Sequence, residues 1–468
     1  MAAPTRTGEA STEAELAGST PAASAFARLL PFVALVGLAI RFAYAIGWRW
    51  DAGLKYDGPA YVARAEFLRL GRGFLDTDAW IFHQEALQGA VHPPVNTLVL
   101  AAGQQLGFSS RPSLQLWACL VGTATIVVVG FLGRAVAGPR AGLVAASIAA
   151  VAPTFWSNDP TLMAETPAQL LTALTLLLAY GFWSRPTPSR AGWMAAAAAA
   201  AGLARSELVL LLPVLVLPLC LAAPGPWRRT ATRLAAAALW STAVLGPWVG
   251  WNLVRFEHPT TIATGLDISL AYAQCDDTWY GPRTGYWNVF CGAEIPDLPA
   301  NELADQSDLG RQYRAEASAY ISEHRSRWPV VIAARVGRTA GLFRPAQQVQ
   351  LEIDREGREG PVTWALLLTT YATYALAVVA FARARPSRRR LLPLLTPLAC
   401  GLAGAALTFG ATRYRSAGEV GLTVLAAIGI DALGRWRARG ADGLEYGAAG
   451  PDGVLAAPDE PEGSRRGR

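Results

Sequence analysis

Asp57 stands in "YDGPAYVARAEFLRLGRGF" (56–74), just after about 20 apolar residues that read as a membrane span. A carboxylate there can cap a helix, accepting backbone N–H groups and favouring the positive helix end. It can also act as a general base, because a helix end near lipid restricts water and fixes the direction of the carboxylate. The two roles are compatible. Glu165, in "SNDPTLMAETPAQLL", lies about one and a half turns beyond Asp159. Asp159, before Pro160, reads as a simple cap, whereas an ionised Glu165 at membrane depth is costly without a partner and points to a paired or functional group.

Cations accompany these acids. Arg205 and Glu207 in "GLARSELVLLLP" fall at a turn between two spans, either as an interfacial ion pair of little consequence or as a cation for an anionic headgroup. In "GATRYRSAGEVGLTVLAA", Arg413, Tyr414, Arg415 and Glu419 crowd the outward end of the last two spans. Short external turns usually avoid arginine. Two of them point to a bound anion, and phosphate matches a guanidinium fork, with snorkelling to lipid phosphates as the alternative. His92, ahead of Pro93 and Pro94, is a polar residue before a rigid helix start or a chemical group. Lys55, the only lysine, is two residues from Asp57 and is a candidate phosphate contact.

These residues need a membrane scaffold. The chain has 468 residues, 52% of them hydrophobic and 16% charged, which is too apolar for an ordinary soluble enzyme. Apolar runs of membrane-spanning length occur at 26–48, 112–134, 141–157, 160–183, 191–206, 207–223, 231–251, 362–382, 391–410 and 417–434. They predict an all-α multi-pass protein of ten spans, up to twelve, since the Ala-rich 191–223 stretch has no clean break. Arg134, Arg140, Arg185, Arg190, Arg228, Arg229, Arg233, the Arg383 to Arg390 cluster, Arg435 and Arg437 share one side if both termini are cytoplasmic. The net charge of +6 is therefore a topology signal, and no aromatic-basic module points to nucleic acid. Residues 1–25 and 436–468 read as disordered cytoplasmic ends around a membrane domain at 26–435. The first apolar run is long, contains Arg41 and shows no cleavage site, so it reads as a retained helix.

This topology leaves two long outer segments, 49–111 and 252–361. The first opens on an amphipathic helix with Pro59 early, Tyr61, Ala65 and Leu68 along one face, Arg64 and Arg69 on another, and Gly71 and Gly73 ending it. It should lie along the membrane surface. "HPPVNTLVLAAGQQLGF" from His92 reads as a second interfacial or re-entrant helix. In the second segment, Cys275 and Cys291 enclose an aromatic, Gly-rich loop and point to a disulfide in an oxidising compartment. Cys119, Cys220 and Cys400 lie in spans as apolar fillers. No compact metal signature occurs.

This pattern resembles the C-type glycosyltransferase superfamily, and within it family 39, which includes protein O-mannosyltransferases and lipid A aminoarabinose transferases. The matching residues are Asp57 with Tyr61 and Gly71 to Gly73, His92-Pro93-Pro94, Ala164-Glu165, Ala204-Arg205 before Leu-Pro, and Arg413-Tyr414-Arg415. The resemblance covers about residues 28–435. Asp57 has no adjacent acid, unlike the paired acids of protein O-mannosyltransferases, which weakens the case for a protein acceptor. The "TWYGPRTGYW" loop looks like loops in actinobacterial members, where lipid or cell-wall acceptors are plausible.

The resemblance implies inverting transfer of a sugar from a polyprenyl phosphate carrier to an acceptor hydroxyl on a lipid, glycan or protein, at the outer face of the plasma membrane. Asp57 would be the catalytic base. Arg413, Arg415, Arg205 and Lys55 would serve the donor phosphate, while Glu165, His92, Tyr61 and Tyr414 would contact the sugar or support the others. No cofactor is required, although a divalent metal could share Asp57 and Glu165. Two readings from other classes compete. A transporter or lipid flippase would line a path with such charges, but no internal repeat is evident and the candidates gather at one face. A structural membrane subunit would use Asp57 only as a cap.

Overall fold

The computed structural model describes residues 21–292, 305–383 and 387–445. It is built of helices, and among the described residues the only β pairing is an isolated bridge between Leu75 and Gln88. The helices that frame the site are α1 (Pro21–Tyr44), α2 (Asp57–Arg69), α3 (Val95–Gln105), α4 (Arg111–Ala137), α5 (Pro139–Val151), α6 (Glu165–Ser184), α7 (Pro188–Ala204) and α8 (Trp227–Arg255). They are followed by α9 (Gln306–Glu323), α10 (Trp328–Thr339), α11 (Pro345–Glu356), α12 (Gly360–Arg383), α13 (Thr396–Leu407) and α14 (Gly418–Glu445). The expected disordered ends lie mostly outside the described residues. Where they overlap, Pro21 opens α1 and α14 continues to Glu445.

Among the described residues, five helices are long and apolar enough to cross a membrane, at Ala22–Arg49, Arg111–Ala137, Trp227–Arg255, Gly360–Arg383 and Arg388–Leu407. A sixth candidate, Pro139–Val151 with Pro153–Thr161, is bent by 58°. The bend is written in the sequence: Pro153 disfavours helical backbone at the residue before it, and Ala152 is extended at φ −72°, ψ 127°. The count is below the ten expected because the other runs are shorter or more polar. α7 has 17 residues, and α6 carries buried Glu165, Thr166, Gln169, Thr172 and Thr175. Polar residues are admissible there because α6 packs between α4 and α7, where neighbouring helices and not lipid surround them.

Small residues let these helices approach closely. α4 and α5 pack where a Cβ on Gly142 would stand 2.6 Å from the Gly130 carbonyl oxygen, and the core around them is rich in alanine (Ala145, Ala146, Ala149, Ala195, Ala198). Without a hydrophobic driving force between helices in lipid, such close backbone contact supplies the dispersion that holds a bundle together.

The two long segments meet each other. Gln306 at the start of α9 donates to Asp76 (2.6 Å) and accepts from the Ala90 N–H (2.8 Å), while Arg255 at the end of α8 donates to the Gly89 carbonyl (3.1 Å). Cys275 and Cys291 form the expected disulfide. A different set of arginines ties the loops elsewhere in the bundle. Arg233 donates to the carbonyls of Pro186, Ala223 and Pro224, and Arg190 to that of Gly181.

Candidate active site

Asp57 is the first residue of α2, and the turn before it sets its direction. Tyr56 adopts φ 56°, ψ −125°, a left-handed conformation that costs a tyrosine of order 1–3 kcal/mol, and the Gly58 N–H closes the turn on the Lys55 carbonyl at 3.3 Å. Gly58 then sits so close to the chain before α6 that a Cβ would lie 2.8 Å from the Thr161 carbonyl oxygen. Backbone contact thus locks the start of α2 against the start of α6. Asn96, at the start of α3, donates to the Leu162 carbonyl at 3.0 Å and fixes the same stretch from a second side.

The Asp57 carboxylate makes no cap bond. Its Oδ2 accepts from Arg413 Nη2 at 2.9 Å, and its Oδ1 faces His92 Nε2 at 3.4 Å. Arg413 Nε donates to Glu165 Oε1 at 3.0 Å, and the same oxygen accepts from Arg205 Nη1. Arg205 Nε continues to Glu207 Oε1 at 2.6 Å. Asp57, Arg413, Glu165, Arg205 and Glu207 therefore form one chain of charges drawn from four separate parts of the sequence. Glu165 Oε2 is buried with no hydrogen-bond partner. Arg205 follows the C-terminus of α7, where a cation is favoured, and its guanidinium lies over the Tyr414 ring at 5.0 Å.

His92 has a defined tautomer. Arg64 Nη2 lies 2.9 Å from His92 Nδ1. A guanidinium can only donate, so Nδ1 is the acceptor and the proton sits on Nε2, aimed at Asp57. Burial also pushes the His92 imidazole below its ordinary value, against the pull of the Asp57 carboxylate. Burial alone would raise the Asp57 carboxyl, but His92 and Arg413 facing it hold it well below the usual carboxylate range. Asp57 is thus ionised at neutral pH, with His92 as a neutral donor. Tyr61 is buried with its ring 4.7 Å from that of His92.

The other expected residues separate from this group. Arg413, Tyr414 and Arg415 occupy one 3₁₀ turn, Thr412–Arg415, and three residues per turn send successive side chains about 120° apart. Arg415 consequently points into the bundle, donating to Glu419 Oε1 (2.5 Å), the Thr339 carbonyl (2.8 Å) and Thr370 Oγ1 (3.0 Å). Arg413 and Arg415 still border one void of about 10 Å³, room for no more than a water. Lys55 is exposed, with its stem against Gly357. Asp159 is more than a cap: it pairs with Arg41 at 2.9 Å and accepts from Thr166 at 2.8 Å, all buried. Arg64, placed on the face away from Tyr61, is buried beside it instead. The signal was present, since 57, 61 and 64 are spaced four and three and share a helix face. Among the described residues, no group of three or more His, Cys, Asp or Glu is arranged to hold a metal.

Comparison with known proteins bears on this arrangement. A family model described as dolichyl-phosphate-mannose-protein mannosyltransferase matches residues 91–251, a stretch that holds His92, Glu165 and Arg205 but neither Asp57 nor Arg413. None of the curated protein sequences matches. The archaeal oligosaccharyltransferase AglB of Archaeoglobus fulgidus, in complex with an inhibitory peptide and a dolichol-phosphate, superposes at TM-score 0.54 and 13% identity, covering 92% of this chain and 52% of that one. Its apo form gives TM-score 0.53 at 12% identity, over 92% and 53%. This chain therefore spans about half the length of that enzyme. ArnT of Cupriavidus metallidurans bound to undecaprenyl phosphate matches at TM-score 0.41 and 16% identity, over 90% and 80%, a likeness that adds nothing to the assignment. Family model and fold agree with the resemblance to C-type glycosyltransferases drawn from the sequence.

Proposed function

We propose that this protein is a membrane glycosyltransferase that moves a sugar from a polyprenyl phosphate-linked donor to an acceptor hydroxyl, with inversion, at the outer face of the plasma membrane, both termini being cytoplasmic. The observation that carries the reading is the meeting of Asp57, Arg413, Glu165 and Arg205 in one hydrogen-bonded chain. AglB, whose fold this chain shares, holds a dolichol-phosphate.

In this reading Asp57 is the base. Its Oδ2 is held by Arg413, while Oδ1 has only the 3.4 Å contact with His92 and is the oxygen open to an acceptor hydroxyl. As the acceptor oxygen bonds to the anomeric carbon, its proton passes to Asp57 and the bond from that carbon to the phosphate oxygen breaks. The sugar passes through an oxocarbenium-like state, and negative charge grows on the departing phosphate. Arg413 and Arg205, fixed beforehand by Glu165, supply the positive field that favours that charge, commonly the largest electrostatic contribution to such a step. Both carboxylates that could serve a divalent cation are engaged by arginine, so the proposal needs no metal. The acceptor belongs to the lipids or glycans of the cell envelope, or to a protein.

Reconstitution with a radiolabelled polyprenyl phosphate sugar tests the reading. A new glycosidic bond to a membrane acceptor is the expected product. Label that crosses the bilayer with no such bond would establish the transporter instead.

A further inference from the structure

Buried arginines in this chain are satisfied in two ways. Some meet carboxylates, as Arg41 meets Asp159 and Arg415 meets Glu419. Others spread their charge over several neutral acceptors: Arg335 donates to the carbonyls of Ala273, Ala406 and Leu407 and to Gln274, and Arg338 donates to the Thr284 carbonyl, Gln347 and Gln348. Arg64 does neither. It is only 4% exposed, and among the described residues no carboxylate lies within ion-pair distance. Its one hydrogen bond goes to the neutral His92 Nδ1 at 2.9 Å, with the Tyr61 ring 5.5 Å away.

A guanidinium carries five N–H donors, and a buried charge is costly unless paired and hydrogen-bonded. We infer that Arg64 is an anion-binding residue of this site, and that the anion is the phosphate of the lipid-linked donor. The assignment rests on reading the site as a polyprenyl phosphate-dependent transferase, and it identifies a phosphate contact among arginines of which Arg413 and Arg205 are already tied to carboxylates.

Its position suits the chemistry. A phosphate contact must not compete with the base for one cation, and Asp57 already holds Arg413. The His92 ring separates Arg64 from Asp57, bonded to the first through Nδ1 and facing the second through Nε2. Cleavage of the bond from the anomeric carbon to oxygen converts a phosphodiester into a phosphomonoester and adds negative charge to it. Arg64 offers unused donors to meet that charge. Burial already pushes its guanidinium below the ordinary value, and a bound phosphate would relieve that cost.

The test is equilibrium binding to the full chain in nanodiscs, using polyprenyl phosphate, polyprenol and inorganic phosphate. Wild type should prefer the lipid phosphate over the alcohol, and Arg64→Gln should reduce that preference about tenfold or more, the scale of a lost charge-assisted hydrogen bond. Arg64→Lys keeps the charge and should retain most of the preference with a melting temperature near wild type, and it serves as the test should Arg64→Gln not fold. An Arg64→Gln protein with the full preference, or an Arg64→Lys protein that has lost it as completely as Arg64→Gln, overturns the assignment. Inorganic phosphate bound as tightly as the lipid would make the ligand a free anion and overturn the lipid commitment. A wild type indifferent to the phosphate would overturn the donor reading as well, an outcome separate from a failure at Arg64 alone.

Discussion

Arg413 bridges two carboxylates: its Nη2 donates to Asp57 at 2.9 Å while its Nε donates to Glu165 at 3.0 Å. One guanidinium thus joins the start of the first long loop to the start of α6, residues 108 positions apart by the difference of their numbers. Asp57 is therefore held in register with Arg413, Glu165 and Arg205 by bonds within the protein itself.

Glu165 is the member of this chain with two cationic partners. Removing it takes one of two carboxylates from each of two guanidinium groups, Arg413 keeping Asp57 and Arg205 keeping Glu207, and loses charge-assisted hydrogen bonds that contribute about 1.5–3 kcal/mol each. Glu165→Ala should lower the melting temperature of the purified protein markedly, whereas Glu165→Gln, which keeps one acceptor oxygen, should lower it less. Equal melting of wild type and Glu165→Ala would show that the cluster contributes nothing to stability.

His92 makes a pH prediction. Its folded value lies below the ordinary 6.5, so the unfolded chain binds the extra proton first as pH falls. The contribution of neutral His92 to stability is complete above that ordinary value and is lost as pH drops through the folded one. Asp57 acts in the same sense at lower pH, because its value is also depressed. Thermal unfolding followed from pH 8 downward should show stability falling below about pH 6.5, and His92→Gln should remove that part of the slope. An unchanged slope in the variant would contradict a depressed His92 value in the folded protein.

The buried pair Arg41–Asp159, at 2.9 Å with both side chains fully enclosed, should behave as a unit. Arg41→Met alone strands a carboxylate and should destabilise strongly, and the double change Arg41→Met with Asp159→Leu should recover much of the loss. A double-mutant cycle in the melting temperature reads this directly. Strictly additive losses would mean the pair is not coupled.

How much of this was legible in the sequence differs from residue to residue. Helical class and the Cys275–Cys291 link follow from apolar run length and cysteine context. Asp57, Glu165, Arg205 and Arg413 stood out because a charge near lipid needs a reason, and they do meet. The divergence of Arg413 and Arg415 was hidden, since only the three-residue period of a 3₁₀ turn separates two arginines that look equivalent in a string. Arg64 reads in the sequence as lying on a different face from Tyr61, although its spacing from Asp57 and Tyr61 carries the face it occupies. Asp159 reads as a cap in the sequence because its partner, Arg41, is 118 residues away and no local pattern joins them.

Asp57 is where the account is most exposed. Transfer from a radiolabelled polyprenyl phosphate sugar should be compared for wild type and Asp57→Asn at matched expression, with donor binding measured on the same samples. Loss of the base should slow transfer by about 10² to 10⁴ and leave donor binding in place. An Asp57→Asn protein that transfers sugar at the wild-type rate would contradict it.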